Sequence, residues 1–289
     1  MPVLPILSDF KSDTLVEKKS GKDVRLKKAK GKVDNTVKLI SWNVNGRVKD
    51  AVEQVKALGR QEPHVVALQD VRATAVEGYK MAFADLGLCH IVHTFQAIPE
   101  TTPTGVLIAS RFELDRLPNL LSSVLWPEGL RSPDSEKVDR HWSKRTLFVI
   151  LHCPWGKIDF HDVYITPGNH YESTPAGYIY YPWIKLDLLS GVYHMLFAPT
   201  DRLRILCGDF NAPQEEKSTG EIITWGYDKR RGIYQLTRSD QDMVERRVFQ
   251  GLAACDMPDV YRRFHGYENC GSEEACSWRK YRFDHIFAS

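Results

Sequence analysis

Four stretches of this chain place a carboxylate or an amide where an apolar run ends: Trp42-Asn43, Leu68-Gln69-Asp70, Gly208-Asp209-Phe210-Asn211 and Arg282-Phe283-Asp284-His285. A rigid sheet positions functional groups at its strand ends, so polar residues there are candidates for chemistry. Three such acids, if they converge, make an all-oxygen site of the kind that takes Mg²⁺ or Mn²⁺. A hard cation with a carboxylate base is what phosphodiester hydrolysis needs. The cation offsets phosphate charge, and the base orients or deprotonates a water. Each stretch also has a structural reading. Asp70 after a strand serves equally well as the cap of the next turn. Asn43-Val44-Asn45-Gly46 has the composition of a turn. Asp284 inside a strand is harder to explain structurally, because Asp is depleted there. Asp209 and Asn211, one pleat apart on the same face after a glycine, form the most specific pair.

The elements that must hold these residues begin at Lys38. Residues 38–43 read as a strand, and Val48, Ala51, Val52, Val55 and Leu58 recur at helical spacing up to the Gly59 and Pro63 stop. Val65-Val66-Ala67-Leu68 is a buried strand by its short, β-branched run. Strands are expected at 90–95, 105–110, 146–153, 158–165, 204–207 and 283–288, and helices at 183–196 and 242–254. Residues 117–143, with Pro118, Pro127 and Pro133, read as a long loop. Strands that come both as meanders and separated by helices predict mixed sheets with helices outside. With no internal repeat, residues 38–289 are expected as one domain behind a leader, 1–37.

The chain is 43% hydrophobic and 26% charged, with a net charge of +2. Nine Lys/Arg and five acids make residues 1–34 +4, which leaves the body at −2. The leader therefore reads as a flexible arm that visits phosphates or as a solvated tail. No apolar run reaches the roughly 18 residues of a membrane span, and the N-terminus lacks a signal-peptide pattern. The expectation is an intracellular monomer, cytoplasmic or nucleoid/nuclear. None of the six cysteines forms a C-x-x-C pair, so a zinc site has little support. Cys153 and Cys207 read as core residues, and Cys270–Cys276 is the one spacing that suits a loop bridge, against a reducing compartment.

The order of motifs is Ile40-Ser41-Trp42-Asn43-Val44-Asn45-Gly46, Ala67-Leu68-Gln69-Asp70, Gly105-Val106-Leu107-Ile108-Ala109-Ser110-Arg111, Val163-Tyr164-Ile165, Gly208-Asp209-Phe210-Asn211 and Arg282-Phe283-Asp284. Over residues 38–289 this resembles the endonuclease/exonuclease/phosphatase superfamily, most closely its exonuclease III-like abasic-site endonuclease branch. The resemblance implies a four-layer α/β sandwich, two mixed sheets face to face and flanked by helices. It implies Mg²⁺ as cofactor, with Mn²⁺ or Ca²⁺ as alternatives, and DNA as partner. It also implies roles. Asn43 helps bind metal or holds the catalytic aspartate; Asp70 is a metal ligand and Asp284 completes the metal site or its outer shell. Arg72 is a basic residue near substrate, Tyr164 reaches the scissile phosphate, Asp209 presents water, and Asn211 stabilises the transition state.

Three departures stand out. Asp70 replaces the usual Glu, which draws the carboxylate back by about 1.5 Å. After Tyr164 the usual Tyr-x-Pro-Asn/Gln becomes Tyr164-Ile165-Thr166-Pro167-Gly168-Asn169, with Asn169 the candidate amide. The family's terminal Ser-Asp-His segment is absent before Ser289, which predicts a missing last strand, a bare sheet edge and a rate loss of roughly 10²–10⁴-fold. Alternation turns His285 away from the face of Asp284. His161 and His170 read as surface residues, and Trp278 as a residue stacking on sugar or base, or as core. With the resemblance, these residues imply a DNA nuclease acting at abasic sites or 3′ ends. The alternatives are a phosphatase or phospholipid diesterase on the same fold, or a catalytically impaired nucleic-acid-binding member.

Overall fold

Alternation with period two explains the layers. In the strand at 36–43, Val37 and Leu39 pack towards a second sheet while Ile40 packs towards helices. Val65 and Ala67 against Val66 and Leu68 repeat the pattern. Strands buried on both faces read as nearly continuous apolar runs. The computed structural model describes residues 6–11, 36–97, 104–118, 135–167, 171–174, 177–180, 183–235 and 239–289, without 271, 274, 278 and 280.

The strands are β1 (Ile6–Lys11), β2 (Thr36–Asn43), β3 (Val65–Arg72), β4 (His90–His93), β5 (Thr104–Ser110), β6 (Leu114–Arg116), β7 (Thr146–Cys153) and β8 (Gly156–Tyr164). They continue with β9 (Tyr171–Thr174), β10 (Gly177–Tyr180), β11 (Leu203–Asp209), β12 (Glu215–Glu216), β13 (Ile222–Ile223), β14 (Tyr227–Asp228), β15 (Ile233–Tyr234) and β16 (Asp284–Ala288). One five-stranded sheet has the order β1-β2-β3-β5-β4 and the other β16-β11-β8-β7-β6. β2 and β3 run parallel, as do β8 and β11, and the remaining neighbours in both sheets are antiparallel. Both sheets are therefore mixed.

The helices are α1 (Ala51–Gly59), α2 (Val76–Asp85), α3 (Ser135–Arg145), α4 (Trp183–Phe197), α5 (Ser239–Arg246) and α6 (Val260–His265). Val55 and Leu58 of α1 with Tyr79 and Phe83 of α2 cover the outer face of the first sheet. Leu188 and Val192 of α4 with Val244 of α5 cover the outer face of the second. Between the sheets, Val65, Val106 and Ile108 meet Val149, Phe160, Ile205 and Ile286. This is the four-layer α/β sandwich that the resemblance implied.

Several boundaries differ from those expected. The helix expected from Val48 begins at Ala51, and Val48 stays exposed in the turn before it. The expected loop 117–143 contains most of α3, whose charged sequence hides its apolar side; Trp142 is buried from it. Residues 119–134 lie outside the described residues. The helix expected at 242–254 is α5 followed by a wider turn, Arg247–Gly251, and a tighter one, Leu252–Cys255. β6, α2, α6 and the two-stranded pairs had no expectation. Within the leader, Ile6–Lys11 pairs antiparallel with β2. The outer side of β16 is not bare: Asp259 bridges Phe287, and Ala288 N–H donates to the Pro258 carbonyl at 3.3 Å. All six cysteines are free thiols. Among the described residues no helix is long and apolar enough to cross a membrane.

Candidate active site

The parallel register of β8 and β11 places Tyr164 beside Asp209, and the antiparallel register of β11 and β16 places Asp284 on its other side. Gly208 makes this approach possible. Its φ is +144°, and a Cβ there would lie 1.9 Å from the Val163 carbonyl oxygen, so no other residue fits. In the facing sheet, Asn43 ends β2 beside Gln69 of β3. A bulge between Leu68 and Val71 then turns Asp70 into the left-handed region at φ 55°.

The strand ends meet in one cleft of about 250 Å³, lined by Trp42, Asn43, Asp70, Tyr164, Asp209, Asn211, Ser277, Phe283 and Asp284. Asp209 is its most constrained member. Its Oδ2 accepts from Asn43 Nδ2 at 2.7 Å and from Asn211 Nδ2 at 3.1 Å, and its Oδ1 accepts from the Asn211 N–H at 2.9 Å. Asn211 has φ 49°, and Nδ2 also donates to the Ile165 carbonyl at 3.0 Å. A non-glycine residue in this region is held there by its surroundings and marks a functional candidate. Asn43 Oδ1 accepts from the Asn45 N–H at 2.8 Å, so both ends of the amide are engaged in the site.

Burial raises Asp209 above the ordinary carboxylate range, and the neighbouring Asp284 charge adds to it; Asn211, Asn43 and Lys185 oppose the rise. Burial also raises Asp284, which the Ser277 hydroxyl partly offsets. That hydroxyl accepts from the N–H groups of Phe283 at 2.9 Å and Asp284 at 3.0 Å. Asp284 Oδ1 is buried without a hydrogen-bond partner. Burial raises Asp70 too, against Arg72, Arg145 and the Thr104 hydroxyl. The Tyr164 hydroxyl is pushed up to about 12, first by burial and then by the charge of Asp70. Its ring lies 4.9 Å from the Arg145 guanidinium.

These donors suit a hard cation in part. Raised, mutually repelling carboxylates and an orphaned carboxylate oxygen are what a divalent ion relieves. Asp70 and Asp284 share the cleft, but among the described residues no three His, Cys, Asp or Glu side chains cluster as a ready ligand set.

Arg72 is exposed, with its guanidinium lying over Gly46. Asn169, His170 and Trp278 lie outside the described residues. His161 is a correction: it is buried against Phe148 on the outer face of β8, and burial pushes it down to about 4. His285 points away from the cleft, as alternation required. Its Nδ1 lies 2.9 Å from Asp259, and Nε2 lies 3.0 Å from the Ala212 and Arg282 carbonyls. Arg282 bridges Glu216 and Asp259 in the same buried network, which ties β16 to α6.

Sequence reasoning missed Arg145, Lys185, Trp225, Ser277, Tyr281 and Phe283. Tyr281 and Phe283 stack with ring centroids 5.1 Å apart, and Trp225 tilts against Tyr281 at 6.1 Å. Tyr281 and Phe283 precede β16, which begins at Asp284, so no strand period announces them in the sequence. Nothing local distinguishes Lys185 or Arg145.

Residues 40–289 match the Endonuclease/Exonuclease/phosphatase family. No curated protein matches the sequence significantly. Among solved structures, an AP endonuclease from Archaeoglobus fulgidus is 18% identical with a TM-score of 0.54, over 87% of this chain and 86% of that chain. The 3′ phosphatase NExo from Neisseria, bound to a product DNA hairpin, is 19% identical with a TM-score of 0.53, over 88% and 86%. At these identities the likeness is one of fold, and it agrees with a family match that spans most of the sequence. The chain belongs to the Endonuclease/Exonuclease/phosphatase family.

Proposed function

We propose that this chain hydrolyses phosphodiesters of DNA, at abasic sites or 3′ ends, as an exonuclease III-like member of its family. The observation that carries the reading is Asp209, with both carboxylate oxygens fixed by Asn43 and Asn211 and with Asp284 and Tyr164 on either side. A divalent cation, Mg²⁺ with Mn²⁺ or Ca²⁺ as alternatives, would be held by Asp284 and Asp70 and would offset phosphate charge. Asp209 orients the attacking water and takes its proton. Tyr164 donates to a phosphate oxygen. Asn211 exchanges its bond to the Ile165 carbonyl for one to the developing charge.

DNA as substrate rests on the rim. Tyr281 and Phe283 offer a stacked aromatic surface for a base or sugar. Trp225, hydrogen-bonded to the Asn211 carbonyl at 3.0 Å, roots the β14–β15 hairpin, whose tip carries exposed Lys229, Arg230 and Arg231. Such a tip suits a phosphate backbone. The two solved relatives described above are an AP endonuclease and a 3′ phosphatase with bound DNA, which fits this substrate class.

The test is incubation of a labelled duplex with one abasic-site analogue, and a strand ending in a 3′ phosphate, with Mg²⁺, Mn²⁺ or EDTA. Metal-dependent incision that Asp209→Ala abolishes is the expected result. Release of phosphate without incision reassigns the site to monoesters. No reaction with either substrate by the folded protein overturns the reading.

A further inference from the structure

Lysine is almost never fully buried unless paired. Lys185, on α4, is 1% exposed behind the cleft rather than in it. Its Nζ donates to the Asn211 carbonyl at 2.8 Å and lies 3.7 Å from Glu245 Oε1 on α5. Glu245 is itself fully buried and held on both oxygens, Oε2 by the Trp225 N–H and Oε1 by Gln241 Nε2, each at 3.1 Å. The Trp225 indole N–H makes a second bond to the Asn211 carbonyl, at 3.0 Å. That carbonyl therefore accepts two bonds, one from α4 and one from the turn between β13 and β14. The other side of the same residue is tied to Asp209 and the Ile165 carbonyl.

Stability alone does not explain this arrangement. A buried ion pair is often replaceable by apolar side chains of similar volume at no cost. What the pair supplies is direction. Asn211 sits in left-handed backbone at φ 49°, a region that a non-glycine residue occupies only at some cost in free energy. An ammonium and an indole N–H on its carbonyl oppose relaxation to an ordinary turn. The lysine also brings positive charge close enough to Asp209 to oppose the effect of its burial.

We infer that Lys185, anchored by Glu245, is a positioning residue that holds Asn211, and through it Asp209, in working geometry without touching substrate. The inference rests on the phosphodiesterase reading for its kinetic consequence but not for its structural one. Lys185→Met alone strands the Glu245 charge and risks the fold. The informative variant is Lys185→Met with Glu245→Gln, which removes both charges and keeps the bond from the Trp225 N–H.

Two measurements on the full chain test it. The first is kcat and KM on the abasic duplex. The expected result is a kcat lowered about 10- to 100-fold with KM within about 2-fold, since small misplacements of reacting groups cost rate of this order. Adding Asn211→Ala to the double variant lowers kcat no further than Asn211→Ala does alone, because the two changes act through one residue. The second is the side-chain amide signal of Asn211 in ¹⁵N-asparagine-labelled protein, assigned by its loss in Asn211→Ala. It is expected to shift or broaden in the double variant. Unchanged kcat, or full additivity with Asn211→Ala, overturns the inference. If the wild-type chain cleaves nothing, the functional reading has failed and the amide signal decides alone: moved, the inference stands; unmoved, it falls.

Discussion

Asp209 and Asp284 stand directly opposite each other across β11 and β16, both buried, with one oxygen of Asp284 lacking any partner. Two carboxyls so placed repel each other when both are ionised, and burial holds each above its ordinary range. The unfolded chain ionises both from about pH 4, so their contribution to folding is full below that and lost as pH rises through the folded values. Asp284→Asn is therefore expected to melt higher than wild type in EDTA at pH 7.5, with the gap closing towards pH 4. Millimolar Mg²⁺ or Mn²⁺ should raise the wild-type melting temperature, by about 2.7 kcal/mol of stability at a hundredfold excess over Kd. Asp284→Asn should lose that rise. Thermal melts by fluorescence decide both points, without any assay of activity.

Gly208→Ala is expected to disrupt the fold rather than the chemistry. The added Cβ meets main chain at 1.9 Å, at a φ of +144°. Neither the clash nor the backbone strain is relieved by a rotamer change. The loss should exceed about 3 kcal/mol, at the upper end of single substitutions. Urea denaturation followed by circular dichroism measures it; a midpoint like that of wild type would refute the account of this strand crossing.

Below the cleft, Gln69 Nε2 donates to Asp162 Oδ1 at 2.6 Å and to the Ser41 hydroxyl at 3.1 Å. Gln69 Oε1 and Asp162 Oδ2 are both buried without partners. One proton on Asp162 would serve both oxygens, and burial does raise this carboxyl well above its ordinary range. Wild-type stability attributable to Asp162 should then be complete below about pH 4 and fall as pH rises, by up to about 1.4 kcal/mol per unit. Asp162→Asn keeps the paired hydrogen bonds and removes the titration. It should be more stable than wild type at pH 7.5 and equal to it near pH 4, as measured by denaturant titrations at both values.

The β14–β15 tip should govern affinity rather than turnover. Arg230→Ser with Arg231→Ser is expected to weaken binding of a catalytically dead variant to duplex DNA. The salt slope should fall by about 1 for each phosphate that the tip no longer neutralises. Fluorescence anisotropy at several salt concentrations reads both quantities. An unchanged slope would place the DNA elsewhere.

Much of the fold is legible in the sequence. Short, nearly continuous apolar runs marked the central strands, and the glycine of Gly208-Asp209-Phe210-Asn211 marked a tight exit from its strand. Both signals are local, set by pleat geometry and by backbone sterics within a few residues. The position of Asp284 was legible for the same reason, since a carboxylate in a strand stands out against its neighbours. Helix α3 was not, because Ser135–Arg145 is mostly charged and only its packing shows which side is buried.

What the tertiary structure decided was the company each residue keeps. Asn43 and Asp209 are 166 positions apart and 2.7 Å apart. Lys185 carries no local signal in the sequence, yet α5 and Trp225 close over it and turn its charge inward. Whether a lysine is solvated, and whether two aspartates repel, depends on groups brought together from distant parts of the chain. No window of neighbouring residues contains that information, because Coulomb interactions and desolvation act through space and not along the backbone.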